Sequence, residues 1–424
     1  MDEADGRRWV VLAVGLSATV AACMFQYGLP YLIPALRRAG LSLGEAGLVV
    51  ACPTVGLMTA LIAWGAVADR WGERIALSLG LGIAAVGLFA AVAGRERPVL
   101  MGACLALAGA GGGAVHAAGG RLILGWFAAR ERGLAMGLRQ ASTPLGTGLA
   151  ALAYPPLAGG GPGVPLLVTA ACCAAAAGLI VLLVRDPRRV EEAGETGENA
   201  RTGARGGTPY RTPVLWRLHA ASALLVVPQF TVGTFALVFL VDEHRWDAVT
   251  AGRALAVAAV AGAVARIGAG VWSDRAGTRL RPLRLVTAGV AAVMAVLAAE
   301  TAAASPVAVA VLMAAAVVTV SPNGLAFTAV AEHAGQAWAG RALGVQSTAQ
   351  HVMAVIVPPA IGAVIGGAGG YPAAFAVAAA FGLAAVPVVP GGRIRRRAST
   401  ATAHAGRRRP ARPRSSASPA STEP

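Results

Sequence analysis

The sequence predicts an all-α integral membrane protein of about twelve transmembrane helices in two six-helix halves, and three observations predict it. The 424 residues are 56% hydrophobic and 13% charged, with a mean hydropathy of +0.64, more apolar surface than a water-soluble core can hide. Apolar runs of roughly 20 residues, the length that crosses a ~30 Å hydrocarbon core as a helix, follow one another nearly end to end. A short charged pattern set between two such runs, Gly65 to Arg74, returns at Gly270 to Arg279 with identical spacing, which is the mark of an internal repeat.

Each run can be placed in order. The first, 9–35, is too long for a removable signal peptide, has no small-residue cleavage site, and should stay as a helix. Runs 44–68 and 75–94 flank the first charged pattern. Run 99–126 holds the small-residue stretch "GAGGGAVHAAGG", and runs 133–158 and 164–184 are divided by the turn signal "GGGPG". The second set is 214–240, 248–272, 284–302, 305–329, 340–366 and 370–390, with the second charged pattern between its second and third members. The organisation is then a short N-terminus, 1–8; a first half, 9–184; a polar linker, 185–213; a second half, 214–390; and a basic tail, 391–424, expected to be disordered.

All 36 basic residues are Arg, and cytoplasmic loops of inner-membrane proteins collect basic residues. With the N-terminus inside, only Arg37, Arg38, Arg95, Arg97 and Arg245 fall outside, so a multi-pass protein of the plasma membrane with both termini cytoplasmic is expected. The net charge of +16 then reads as topology and attraction to anionic membrane lipids, and not as nucleic-acid binding. Cys23, Cys52, Cys104, Cys172 and Cys173 all lie in apolar runs without a CxxC pairing, which suits packing and predicts neither disulfide nor metal. There is no GxSxG, HExxH or Walker loop, so no catalytic residue, no cofactor and no enzyme is expected.

Further equivalences join the halves. "GLRQAS" from Gly137 faces "GVQSTA" from Gly344, His116 faces Asn323, and Gln26 faces Gln229, all at nearly the same offset. An even number of crossings per half restores the same orientation, so the halves should be related by an axis along the membrane normal.

Residues 9–390 resemble the major facilitator superfamily of secondary transporters. The motif that carries the resemblance is the loop between helices two and three, Gly-x-x-x-Asp-Arg/Lys-x-Gly-Arg/Lys-Arg/Lys. The chain matches it at Gly65, Asp69, Arg70, Gly72 and Arg74 and departs at Glu73; the weaker copy matches at Gly270, Asp274, Arg275, Gly277 and Arg279. "WFAARERGLAMG", Trp126 to Gly137, is similar to the family's loop between helices four and five. The resemblance implies alternating access, with the two charged loops latching the halves when the cytoplasmic side is shut. Locally, Gly65 would admit a neighbouring helix, Asp69 would face a helix dipole or an Arg, and Gly72 would turn the chain. A monomer that moves a small-molecule substrate, with protons as the candidate coupling ion, is implied as well.

Polar residues inside apolar helices are costly and normally face a cavity or a partner. The substrate-binding candidates are Gln26 and Tyr27 in helix one, His116 and Arg121 in helix four, Arg139 and Gln140 in helix five, Gln229 in helix seven, Asn323 in helix ten and Gln346 in helix eleven. In the family's fold helices one, four, seven and ten line the path, which favours Gln26, Tyr27, His116, Gln229 and Asn323. Arg266 in helix eight, just before the second charged loop, is expected to be structural. No Asp or Glu lies well inside any run, so the cavity suits an anion or a neutral polar solute better than a cation. The excess of Arg favours a small organic anion held by Arg139 or Arg121, with His116, the obvious group that titrates near neutral pH, sensing the proton. The alternative is efflux of a drug or secondary metabolite, weakened because the family's exporters carry an Arg in helix four where this chain has only apolar residues near Leu105.

Overall fold

The computed structural model describes the backbone of residues 3–126, 132–184, 208–335 and 338–391, and the side chains of 8–119, 126, 141–184, 208–335 and 338–391. Twelve helical spans follow in order: α1 (Glu3–Gly28, continued by a 3-10 turn Leu29–Leu32 and a short helix Ile33–Arg38), α2 (Leu43–Trp71), α3 (Glu73–Ala93), α4 (Pro98–Trp126), α5 (Arg132–Leu157) and α6 (Gly163–Leu183), then α7 (Pro213–Asp242), α8 (Ala248–Arg275), α9 (Leu280–Ala302), α10 (Val307–Val318 and Pro322–Ala334), α11 (Ala339–Gly366) and α12 (Gly370–Val388). Among the described residues eleven of these are long and apolar enough to cross a bilayer, α5 being the other. The linker up to residue 207 and the tail from 392 lie outside the described residues; Pro209–Arg211 forms a 3-10 turn before α7.

Two breaks went unread in the sequence. Pro30 sits in the 3-10 turn that interrupts the first span, and α10 is cut just before Pro322. A proline has no amide hydrogen and its ring crowds the preceding turn, so a helix yields there.

The two halves repeat each other down to their caps. In the first half α1 packs on α5 and α6, and α4 on α2 and α3; in the second, α7 packs on α11 and α12, and α10 on α8 and α9. The Ser42 hydroxyl caps α2, in a reciprocal box with Glu45, and Asp247, at the equivalent place in the second half, caps α8 by accepting from the Val249 and Thr250 amides at 3.0 Å. Each charged loop turns on a glycine in the left-handed region, Gly72 at φ +92° and Gly277 at φ +63°. Within each half the helices approach through small residues: a Cβ on Gly87 of α3 would stand 2.7 Å from the Ala108 nitrogen and 2.8 Å from the Cys104 oxygen of α4.

Contact between halves runs chiefly through α2 on α11 and α5 on α8. Its tightest points lie toward the end of the bundle remote from the termini, here the far end. A Cβ on Gly47 would meet the Pro358 carbonyl, and one on Gly252, its counterpart, would fall 2.9 Å from Pro155 Cγ. Beside them Arg37, in the last turn of the first span, pairs with Asp242 at the end of α7. These two residues also occupy equivalent places, 205 positions apart. A near-two-fold axis brings equivalent positions face to face, and opposite charges at such a position join the halves.

Candidate functional site

A cavity of about 280 Å³ lies on that axis, walled by α1, α2 and α5 from one half and α7, α8, α10 and α11 from the other. Gln26, Tyr27, Pro30 and Tyr31 line it from the first span, and Gln229, Phe230, Gly233 and Thr234 line it from α7 at the matching positions. The volume suits a small solute, since pockets for drug-sized ligands begin near 300 Å³.

Its polar groups are paired in the same symmetric way. His116 Nε2 lies 2.8 Å from Gln26 Oε1, joining α4 to α1. In the second half Asn323 Nδ2 donates to Gln229 Oε1 at 2.9 Å, and Gln350 Nε2 donates to Asn323 Oδ1 at 3.4 Å. Gln26 is 4% exposed, and its Nε2 has no partner among the described residues.

The symmetry fails in charge. Arg266 lines the cavity from α8, one face of which presents Ala259, Ala263 and Arg266, and its Nε donates to the Val320 carbonyl at 3.3 Å, in the break of α10. No Asp or Glu is among the described lining residues. His351 of α11 also faces the cavity, its Nδ1 donating to the Ser347 carbonyl at 2.7 Å. That bond fixes the tautomer in which Nε2 carries the lone pair and can take a proton.

Of the sequence-predicted residues, Gln26, Tyr27, Gln229 and Asn323 line the cavity together, and His116 joins them through Gln26. The side chains of Arg121, Arg139 and Gln140 lie outside the described residues. Gln346 does not face the cavity: it is fully buried, its Oε1 2.7 Å from His219 Nδ1 and its amide donating to Ser222, so it ties α11 to α7. Arg266, expected to be structural, is a wall residue. His351 and Gln350 were missed; the signal for them was the offset that aligns "GLRQAS" with "GVQSTA", which carries Thr143 and Pro144 onto Gln350 and His351.

Arg74 and Arg279 of the charged loops each have partners within their own half in this conformation. Arg74 donates to the Val181 carbonyl of α6, and the Arg70 guanidinium lies 5.5 Å from the Trp71 ring centre. Arg279 meets Asp274 at 2.6 Å and Glu332 of α10 at 2.9 Å, and these carboxylates hold its guanidinium above the usual arginine range. Gly65, expected to admit a neighbouring helix, faces open space, as does Gly270: a Cβ on either would meet nothing within 4 Å among the described residues.

Two repeated six-helix halves around a central cavity that carries amide, hydroxyl and guanidinium groups are the architecture of a membrane transporter. The model of the Major Facilitator Superfamily matches residues 15–358, and the chain belongs to that family. It is 40% identical over 387 residues to an uncharacterized MFS-type transporter of Mycobacterium tuberculosis, covering 91% of this chain and 85% of that protein. Among solved structures it resembles a bacterial homolog of the human lysosomal transporter Spinster, inward-facing and occupied (TM-score 0.71, 16% identity, 90% of this chain and 94% of that one). It also resembles a D-xylose–proton symporter (TM-score 0.70, 16% identity, 90% and 97%). The chain is a transporter and not an enzyme, and among the described residues no group of side chains is arranged to hold a metal.

Proposed function

We propose that this transporter moves a small organic anion across the plasma membrane by alternating access, with both termini cytoplasmic and with proton coupling. The observation that carries the reading is Arg266: a guanidinium on the wall of a small cavity with no acidic side chain among the described residues lining it. A cation held away from water without a counter-charge costs desolvation energy, and a bound anion recovers it. Around Arg266, Tyr27 and the amides of Gln229, Asn323 and Gln350 offer hydrogen bonds to the rest of the solute, and His351 Nε2 offers a place for the proton.

The far-end contacts support reading this conformation as inward-open. In the opposite state Asp69, Arg70 and Arg74, with Asp274, Arg275 and Arg279, would close the terminal end, Arg74 and Arg279 exchanging their present partners within each half for ones across it.

Purified protein in vesicles, under an imposed pH gradient, is presented with a panel of carboxylates and of lipophilic cations. Carboxylate uptake that follows the gradient, is abolished by Arg266→Gln and is partly kept by Arg266→Lys is the expected result. Transport of the cations alone would instead support efflux of drugs or secondary metabolites, and anion transport that survives Arg266→Gln would remove this site assignment.

A further inference from the structure

A second cavity, of about 810 Å³, opens at the end of the bundle that carries the termini, between the turn joining α8 to α9, the first turns of α9 and the end of α12. It shares no lining residue with the central cavity. Arg281 and Arg284 stand on it, one turn apart on α9, both exposed and neither with an acidic partner among the described residues. Their neighbour Arg279 is by contrast engaged by Asp274 and Glu332. Among the described residues no Asp or Glu lines the groove, and Thr278 Oγ1, buried against it, has no hydrogen-bond partner.

The same face of α9 changes character along its length. Arg281 and Arg284 are followed by Leu285, 51% exposed, and then Ala288, with Val386 of α12 alongside and Trp272, 43% exposed, at the rim. Charge at the membrane boundary, an indole beside it and an apolar track running into the bilayer is the profile of a phospholipid, headgroup first. A free phosphate would satisfy the two arginines and leave the apolar track unused. The chain's own tail, with "RIRRR" at Arg393 to Arg397, carries the same sign of charge as the groove and is a poor match for it.

We propose that this groove binds an anionic phospholipid of the cytoplasmic leaflet. Arg281, Arg284 and the Thr278 hydroxyl hold the phosphate, and an acyl chain lies along Leu285, Ala288 and Val386. The leaflet assignment rests on the cytoplasmic termini proposed above; the binding does not. Because Trp272, Ala276 and Thr278 belong to the second charged loop, an occupant would also brace the segment that changes partners during transport.

The test is native mass spectrometry of the full chain in mild detergent with phosphatidylglycerol, phosphatidylcholine and inorganic phosphate. Phosphatidylglycerol should be retained in preference to phosphatidylcholine, and millimolar phosphate should not displace it. Arg281→Gln with Arg284→Gln should cut the preference about thirtyfold, the ratio that roughly two arginines near an anionic surface are worth. Arg341→Gln, a control at the same end whose guanidinium lies 4.9 Å from the Trp338 ring centre, should leave it unchanged. Melting in neutral detergent checks that the double variant is folded, and Arg284→Gln alone, expected to lose about fivefold, decides the matter if it is not. Equal retention of both lipids, an undiminished preference in the variants, or displacement by free phosphate would each overturn the proposal. A reporter placing the C-terminus outside would move the site to the other leaflet without touching the binding result.

Discussion

The Arg37–Asp242 pair should hold the far end shut, and the strength of that hold can be worked from the structure. The side chains are 38% and 29% exposed, so water screens them and the pair cannot approach the energies of a buried ion pair. Exposed pairs contribute about 0.2–1 kcal/mol, and partial burial beside α7 and α12 puts this one near the upper bound. About 1 kcal/mol corresponds to roughly a fivefold change in the ratio of far-end-closed to far-end-open protein. Arg37→Ala and Asp242→Ala should each shift the ratio by that factor, the double variant by little more, and the exchange Arg37→Asp with Asp242→Arg should restore it. Raised salt should diminish the wild-type preference toward that of the variants. Pulsed electron paramagnetic resonance between spin labels at Glu96 and Ala304, on loops of opposite halves at that end, reads the two populations as two distances. A swapped variant that behaves like the single variants, or single variants indistinguishable from wild type, would show that the pair carries no gating energy.

Three other outcomes are expected. Gly252→Val, whose Cβ would collide with the Ala151 carbonyl and Pro155, should wedge α8 from α5 and raise the far-end-open population in the same distance measurement, and Gly47→Val should do so through α2 and α11. Gln346→Leu should lower the melting temperature by leaving His219 Nδ1 and Ser222 buried and unpaired, roughly 1–3 kcal/mol for each group, while the affinity of the folded protein for its substrate in a direct binding assay stays unchanged. Asp69→Asn should reduce vesicle transport strongly with expression and ligand binding kept, and unchanged transport would remove the latch role of that loop.

The amino-acid sequence by itself determined the number of spans, the division into halves and their near-two-fold relation. In a bilayer every backbone amide must be satisfied within its own helix, so long apolar runs have only one local solution, and repeated spacing such as Gly65–Arg74 against Gly270–Arg279 survives in linear order. It also singled out Gln26, Tyr27, Gln229 and Asn323, because a polar residue in an apolar run is conspicuous wherever it points. Where each one points was decided only by tertiary packing. Gln346 and Gln350 stand one turn apart on α11, yet the first is consumed by His219 and Ser222 of α7 and the second reaches Asn323 at the cavity. Arg266 sits near a charged loop in sequence, but the break of α10 at Pro322 turns the Val320 carbonyl toward it and holds it on the wall. The rotation and breakage of a helix depend on its neighbours' side chains, many positions away, and hydropathy along one run does not contain them.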